Sequence, residues 1–163
     1  DKSKGHDYFI QAFASVSEQM PDAHLAIIGG GDRQALLEKL AEDLGVGTRV
    51  HLLGLVLEAS RYIKAFDVFV IPSLHEGFGL GLLEGMAGSL PVIASTGGAL
   101  PEVTADTGLH FPPGDSKALA EQLLKAYTMT AIERAAMGSA CFQRLNDNFS
   151  KEQYHRNFLA LLD

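Results

Sequence analysis

Apolar positions change spacing repeatedly along the chain, and the changes mark out alternating helices and strands. Between residues 5 and 20, Phe9, Ile10, Phe13, Val16 and Met20 recur every three or four positions. That spacing predicts an amphipathic helix that starts at Lys4-Gly5 and stops before Pro21-Asp22. A short apolar run, HLAII (24–28), is followed by Gly29-Gly30-Gly31-Asp32 and a helical pattern through Leu36, Leu37, Leu40 and Leu44 to Gly45. The same order then repeats: RVHLLG (49–54) reads as a strand, 59–66 as a short helix and DVFVIP (67–72) as a buried strand. A turn, a helix around 80–87, the strand PVIAS (91–95) and a short strand near 108–111 come next. Helices over 116–127, about 133–145 and 150–162 complete the pattern. Ser150 suits an N-cap, and Tyr154, Phe158, Leu161 and Leu162 form a stripe expected to pack on the domain.

Strands alternating with helices at this interval imply parallel β-α-β units with right-handed crossovers. The expected fold is α/β, a Rossmann-like doubly wound parallel sheet with helices on both faces and a helical C-terminal tail. Such a half-sheet opens on a strand, whereas this chain opens on a helix, so a first strand is expected before residue 1. With 163 residues, no internal repeat and no linker-like stretch, residues 1–163 read as one domain. Apolar residues at 47% and charged residues at 20%, both spread along the chain, exclude a disordered tail and a disulfide-stapled miniprotein. No run approaches the roughly 18 apolar residues of a membrane span, and DKSKGHDYF lacks the order of a signal peptide. The single cysteine, Cys141, cannot form an internal disulfide, which makes the cytoplasm the default location. A net charge of −7 without a Lys/Arg run argues against nucleic acid as a partner. It leaves room for a small anionic ligand, which needs only local positive potential.

Three loops fall beyond carboxyl ends of strands, where ligands of open parallel sheets bind. In GGGD (29–32) the third glycine of a dinucleotide fingerprint is replaced by Gln34, so a tight strand-to-helix turn competes evenly with a ligand contact. The segment PSLHEGFGLGLLEGMAGSLPVIAS (72–95) places Gly77, Gly79 and Gly81 between a strand end and a helix start, whose N–H groups suit an anion. Glu76 and Glu84 frame it. Neither carboxylate favours phosphate, but both can accept hydrogen bonds from sugar hydroxyls, about 1.5–3 kcal/mol each when charge-assisted. The third loop, STGGALPEV (95–103), brings backbone close through Gly97-Gly98, with Glu102 at a helix start.

KGHDYFIQAF (4–13), the GGGD turn, RVHLLG, FDVFVIPSLHEGFGLGLLEGMA (66–87), PVIAS and GGALPEV together resemble the C-terminal, donor-binding domain of a GT-B fold retaining glycosyltransferase, specifically glycosyltransferase family 4. The pair Glu76 and Glu84, flanking Phe78-Gly79, carries most of the likeness. The resemblance implies that Lys4 meets the donor diphosphate, that Glu76 holds the donor sugar's hydroxyls closest to the chemistry, and that Glu84 holds the ribose. It brings the backbone of Phe78, Gly79 and Leu80 to phosphate or sugar, and that of Gly54 and Leu55 near the base. Taken alone, Lys4 reads as a solvated lysine, Glu84 as a helix-surface acid and Phe78 as a core aromatic. Family members carry a Gly-Arg pair shortly before the lysine, which lies outside this chain, and they have glycine where this chain has Ser89. Gly81 also replaces a position that is commonly larger.

The implied reaction is transfer of a glycosyl group from a nucleotide-diphosphate sugar to an acceptor hydroxyl, with retention at the anomeric carbon. UDP or GDP is the expected donor nucleotide, and no further cofactor is implied. Charge on the departing diphosphate would be met by lysine and helix-terminal amides. No metal is required for that, and the six histidines show no ligand spacing. An N-terminal domain would supply most acceptor contacts, so the chain alone is expected to be inactive; through that domain the parent protein would sit at a membrane periphery. A non-catalytic nucleotide or sugar-phosphate binding module and a sugar-nucleotide 2-epimerase are the alternatives. A glycosidase fits worse, because two acids on one loop-helix segment cannot flank a bond from opposite sides.

Overall fold

Residues 1–153 and 155 are described by a computed structural model, in which strand and helix alternate as the spacing predicts. Helix α1 (His6–Val16) leads to β1 (Leu25–Ile28), α2 (Gln34–Asp43) and β2 (Val50–Gly54). A connector, Ala59–Ala65, takes the tighter 3-10 form and reaches β3 (Phe69–Ile71). There follow α3 (Leu80–Ala87), β4 (Val92–Ser95), α4 (Leu100–Thr104), β5 (Leu109–Phe111), α5 (Ser116–Thr128) and α6 (Ala131–Phe149). Helix α1 ends four residues before Met20 because the Ser17 N–H bonds back to Ala14, tightening the last turn. Helix α6 begins earlier than its apolar spacing suggests because Thr130 and Glu133 form a capping box. The Ser150 hydroxyl accepts from the Gln153 N–H, as an N-cap would; the stripe of Tyr154, Phe158, Leu161 and Leu162 lies outside the described residues.

All strand pairings in the two sheets are parallel: β1 with β2, and β3 with β4 with β5. Alternation along β4 explains the layering. Ile93 faces a core built with α1, α2 and α5, while Val92 and Ala94 face a second core with α3, α4 and α6. Helices therefore cover both faces, and the fold is Rossmann-like α/β. From β1 the chain winds through α2 to β2, and from β3 it winds through α3 to β4, with α2 and α3 on opposite layers. Right-handed crossovers then put the reversal of direction at the boundary between β1 and β3.

One expectation needs correction. The segment 67–72 reads as a buried strand, yet β3 is half-buried along its length, whereas β4 is buried throughout. Among the described residues, β3 pairs through one edge, to β4, and it also borders an open groove.

Ser89, between α3 and β4, adopts φ 57°, a left-handed conformation that costs a residue with a Cβ. The α6 backbone at Gly138 presses on the Ser89 carbonyl and fixes the turn in place. Ser89→Gly is therefore expected to raise stability by about 1 kcal/mol, read as a higher urea midpoint with an unchanged slope.

Candidate functional site

The site grows from a backbone seam. The Leu74 N–H donates to the Ser3 carbonyl at 2.7 Å, joining the opening turn to the loop after β3. Gly5, at φ 69°, lies so close to Pro72 that a Cβ would overlap the Pro72 carbonyl oxygen. Glycine alone fits there. This seam delivers Lys4 to Glu76, whose Oε2 accepts from Lys4 Nζ at 2.9 Å and from the Ser73 hydroxyl at 3.2 Å. The side chains of Lys4 and Glu76 are 47% and 23% exposed, so their ion pair is open to solvent and worth about 0–1 kcal/mol.

A second seam fixes the Glu76 backbone. Its N–H donates to the Gly97 carbonyl, and its carbonyl accepts from the Ala99 N–H at 2.9 Å. At Gly98, φ 72°, a Cβ would overlap the Glu76 carbonyl oxygen. The hydroxyl of fully buried Ser95 donates to the Ser73 carbonyl and accepts from the Gly97 N–H, locking the ends of β3 and β4 together.

Lys4, Leu55, Glu76, Phe78, Gly79, Leu80 and Glu84 all line one groove of about 1580 Å³ along the β1/β3 boundary. Glu84 lies exposed in the second turn of α3, Glu76 precedes that helix, and both line the groove. Gly79 caps α3 without a side-chain hydrogen bond, and the helix N-terminus brings positive potential to the same space. Phe78 is half-exposed and meets Phe149 edge-on, ring centroids 6.1 Å apart, rather than entering the core. Leu55 and Leu80 are exposed apolar residues of the groove wall. Gly54 is not among the lining residues; its carbonyl accepts from the Gly29 N–H at 2.8 Å, which ties the GGGD turn to the end of β2. His75 is exposed and lies outside the lining.

Spacing alone gives no sign of a further pair. Arg33 donates to both carboxylate oxygens of Asp7, at 2.9 and 2.8 Å, and pins the GGGD turn to the first turn of α1. Twenty-six residues separate the partners, and no local spacing links them. Beside them His6 has its pKa lowered, first by burial and then by positive neighbours that include Lys4 and Arg33. His110, which meets the Thr104 hydroxyl at 2.6 Å, is lowered by burial. Among the described residues, no group of three or more His, Cys, Asp or Glu is arranged to hold a metal, and no helix is long and apolar enough to cross a membrane.

A family model described as glycosyl transferases group 1 matches residues 1–129. A GDP-mannose-dependent monoacylated alpha-(1-6)-phosphatidylinositol monomannoside mannosyltransferase of Corynebacterium glutamicum is 37% identical over 147 residues, 84% of this chain and 38% of its own. Among solved structures, the C-terminal domain of a group 1 glycosyl transferase, LpcC of Francisella tularensis, matches with a TM-score of 0.82 at 27% identity, covering 93% of this chain and 82% of that one. Anabaena Alr3699/HepE in complex with UDP shares the fold, with a TM-score of 0.87 at 22% identity over 99% of this chain and 46% of its own. The chain spans less than half the length of the curated relatives it matches.

Two outcomes follow from the seams and the histidines. Gly98→Ala is expected to cost about 1–3 kcal/mol by displacing the Glu76 loop, seen as a lower urea midpoint and altered chemical shifts at Glu76. Burial holds the pKa values of His6 and His110 below their ordinary value of 6.5, so the unfolded chain takes up protons at these positions before the folded one does. Stability should therefore fall as pH drops below about 6.5, and a His6→Gln/His110→Asn double variant should flatten that part of the curve in urea titrations.

Proposed function

The chain belongs to the group 1 glycosyl transferases, and from that premise we propose that it is the donor-binding half of a retaining enzyme that uses a nucleotide-diphosphate sugar. The contact between Lys4 and Glu76 at the mouth of a groove that also holds Glu84 carries the reading. A diphosphate placed against the N-terminus of α3 brings its own negative charge to Lys4. Exchanging the solvated ion pair, worth about 0–1 kcal/mol, for a phosphate contact and a sugar contact of about 1.5–3 kcal/mol each is favourable. Lys4 is then free to meet the diphosphate, and Glu76 to accept from sugar hydroxyls. Glu84, one turn into α3, accepts from the ribose, and Leu55, which lines the groove as Gly54 does not, lies toward the base.

In the transfer step the bond between the anomeric carbon and the diphosphate oxygen breaks, and its electron pair leaves with the nucleotide. The acceptor oxygen bonds to the same face of the sugar, and its proton passes to the departing phosphate. Charge grows on the diphosphate during this step, so Lys4 and the α3 amides bind the transition state more tightly than the ground state. The reading requires no metal. UDP and GDP are the donor nucleotides proposed; the corynebacterial relative is described as GDP-mannose-dependent and the Anabaena structure holds UDP. A domain outside this chain supplies the acceptor side, which leaves the isolated chain able to bind nucleotide weakly but unable to turn over. The whole protein works in the cytoplasm, at the membrane periphery where its acceptor is lipid-linked.

Calorimetry of the chain with UDP, GDP and ADP tests the division of roles. Glu84→Ala should weaken nucleoside diphosphate binding by about 10- to 100-fold, whereas Glu76→Ala should leave that affinity nearly unchanged and lower turnover of the full-length enzyme about 100-fold. Equal losses of nucleotide affinity in the two variants would contradict the assignment.

A further inference from the structure

The carboxylate of Glu76 takes both of its hydrogen bonds on one oxygen. Oε2 accepts from Lys4 Nζ at 2.9 Å and from the Ser73 hydroxyl at 3.2 Å, whereas Oε1 has no partner among the described residues. The two donors differ in kind. Lys4 carries its charge at the end of a flexible stem and its side chain is 47% exposed, so water or another anion can replace its partner. Ser73 is 3% exposed, and its hydroxyl sits one carbon from the backbone. Of the two, the serine is the fixed donor and the lysine the exchangeable one.

Ser73 is itself held in a closed ring of hydrogen bonds. Its carbonyl accepts from the Ser95 hydroxyl, and the Ser95 oxygen accepts from the Gly97 N–H at 3.2 Å. The Gly97 carbonyl accepts from the Glu76 N–H at 3.3 Å, and the Ser73 hydroxyl returns to Glu76 Oε2. Ser73, Ser95 and Gly97 are buried, and the ring opens to solvent at Glu76. A polar ring that is satisfied and largely shielded from water holds its members rigidly. It ties the ends of β3 and β4 to the orientation of one carboxylate.

We propose that Ser73 is the positioning residue for Glu76: it keeps Oε2 turned inward once Lys4 has moved to the diphosphate, and so presents Oε1 to the hydroxyls of the donor sugar. This role rests on the donor-site reading given above. Without the serine hydroxyl, the departure of Lys4 leaves the carboxylate held by its backbone alone, free to turn about its own side-chain bonds. Hydrogen bonds that must strengthen in the transition state then lose their geometry. Ser73 acts through Glu76 and not on the nucleotide, so its effect falls on turnover and spares donor affinity.

A double-mutant cycle in the full-length enzyme tests this. Ser73→Ala should lower kcat about 10- to 100-fold while the donor KM changes less than about threefold. In a Glu76→Ala background the same substitution should cost less than about twofold, because Ser73 then has nothing to position. Equal losses in the two backgrounds would make Ser73 a structural support of the loop and overturn the proposal. So would an unchanged kcat in Ser73→Ala when Glu76→Ala is impaired. A crystal structure of the unaltered chain with a non-transferable UDP-sugar or GDP-sugar decides the matter even where a variant fails to fold. Oε2 should stay on the Ser73 hydroxyl, with Lys4 on the diphosphate and Oε1 on the sugar; a Ser73 hydroxyl turned away from Glu76 would overturn the proposal. A nucleotide bound away from Lys4 and Glu84, or full turnover in Glu76→Ala, would instead sink the donor-site reading and the role of Ser73 with it.

Discussion

The structure depends on a close approach of two backbones, residues 3–5 against residues 72–74. The Leu74 N–H meets the Ser3 carbonyl, and Gly5 lies against the Pro72 carbonyl with no room for a side chain. Without that approach the lysine and the glutamate would belong to distant loops. Hydrogen bonds of this kind contribute only about 1 kcal/mol each, yet they fix position, and position decides which charges meet. The Gly97–Ala99 seam does the same from the other side, so Glu76 is held at its backbone while its carboxylate remains free to change partners.

Charge is arranged economically. A chain with a net charge of −7 places two cations, Lys4 and Arg33, along the groove that the N-terminus of α3 also reaches. Both cations are engaged, but differently. Arg33 grips Asp7 through two hydrogen bonds, one to each carboxylate oxygen, a geometry suited to holding a loop. Lys4 makes a single contact with Glu76, half open to water.

The β1/β3 boundary ties fold and site together. Crossovers of one hand, run outward from one line in two directions, place α2 and α3 on opposite faces and leave the loops after β1 and β3 to diverge around a crevice. The half-buried β3 and the large groove are two signs of the same break in the hydrogen-bonded sheet.

Much of this was legible in the residues. Helix and strand order follows from spacing, because burial on one stripe or one face enforces a period of 3.6 or 2. The likeness of residues 4–103 to a donor-binding domain named Glu76, Glu84 and Lys4 together, and the structure brings all three to one groove. Spacing could not reveal Arg33 on Asp7, Ser73 on Glu76, or the contact between Lys4 and Glu76, because each joins segments or hydroxyls that carry no periodic signal. Nor could an apolar run such as Phe69–Ile71 disclose how many neighbours it has; hydrophobicity records a preference for burial, while burial itself depends on which strands lie alongside. Local sequence determined the elements and the chemistry available, and tertiary structure decided which charges touch and where the sheet stays open, because those depend on distances between parts of the chain far apart in sequence.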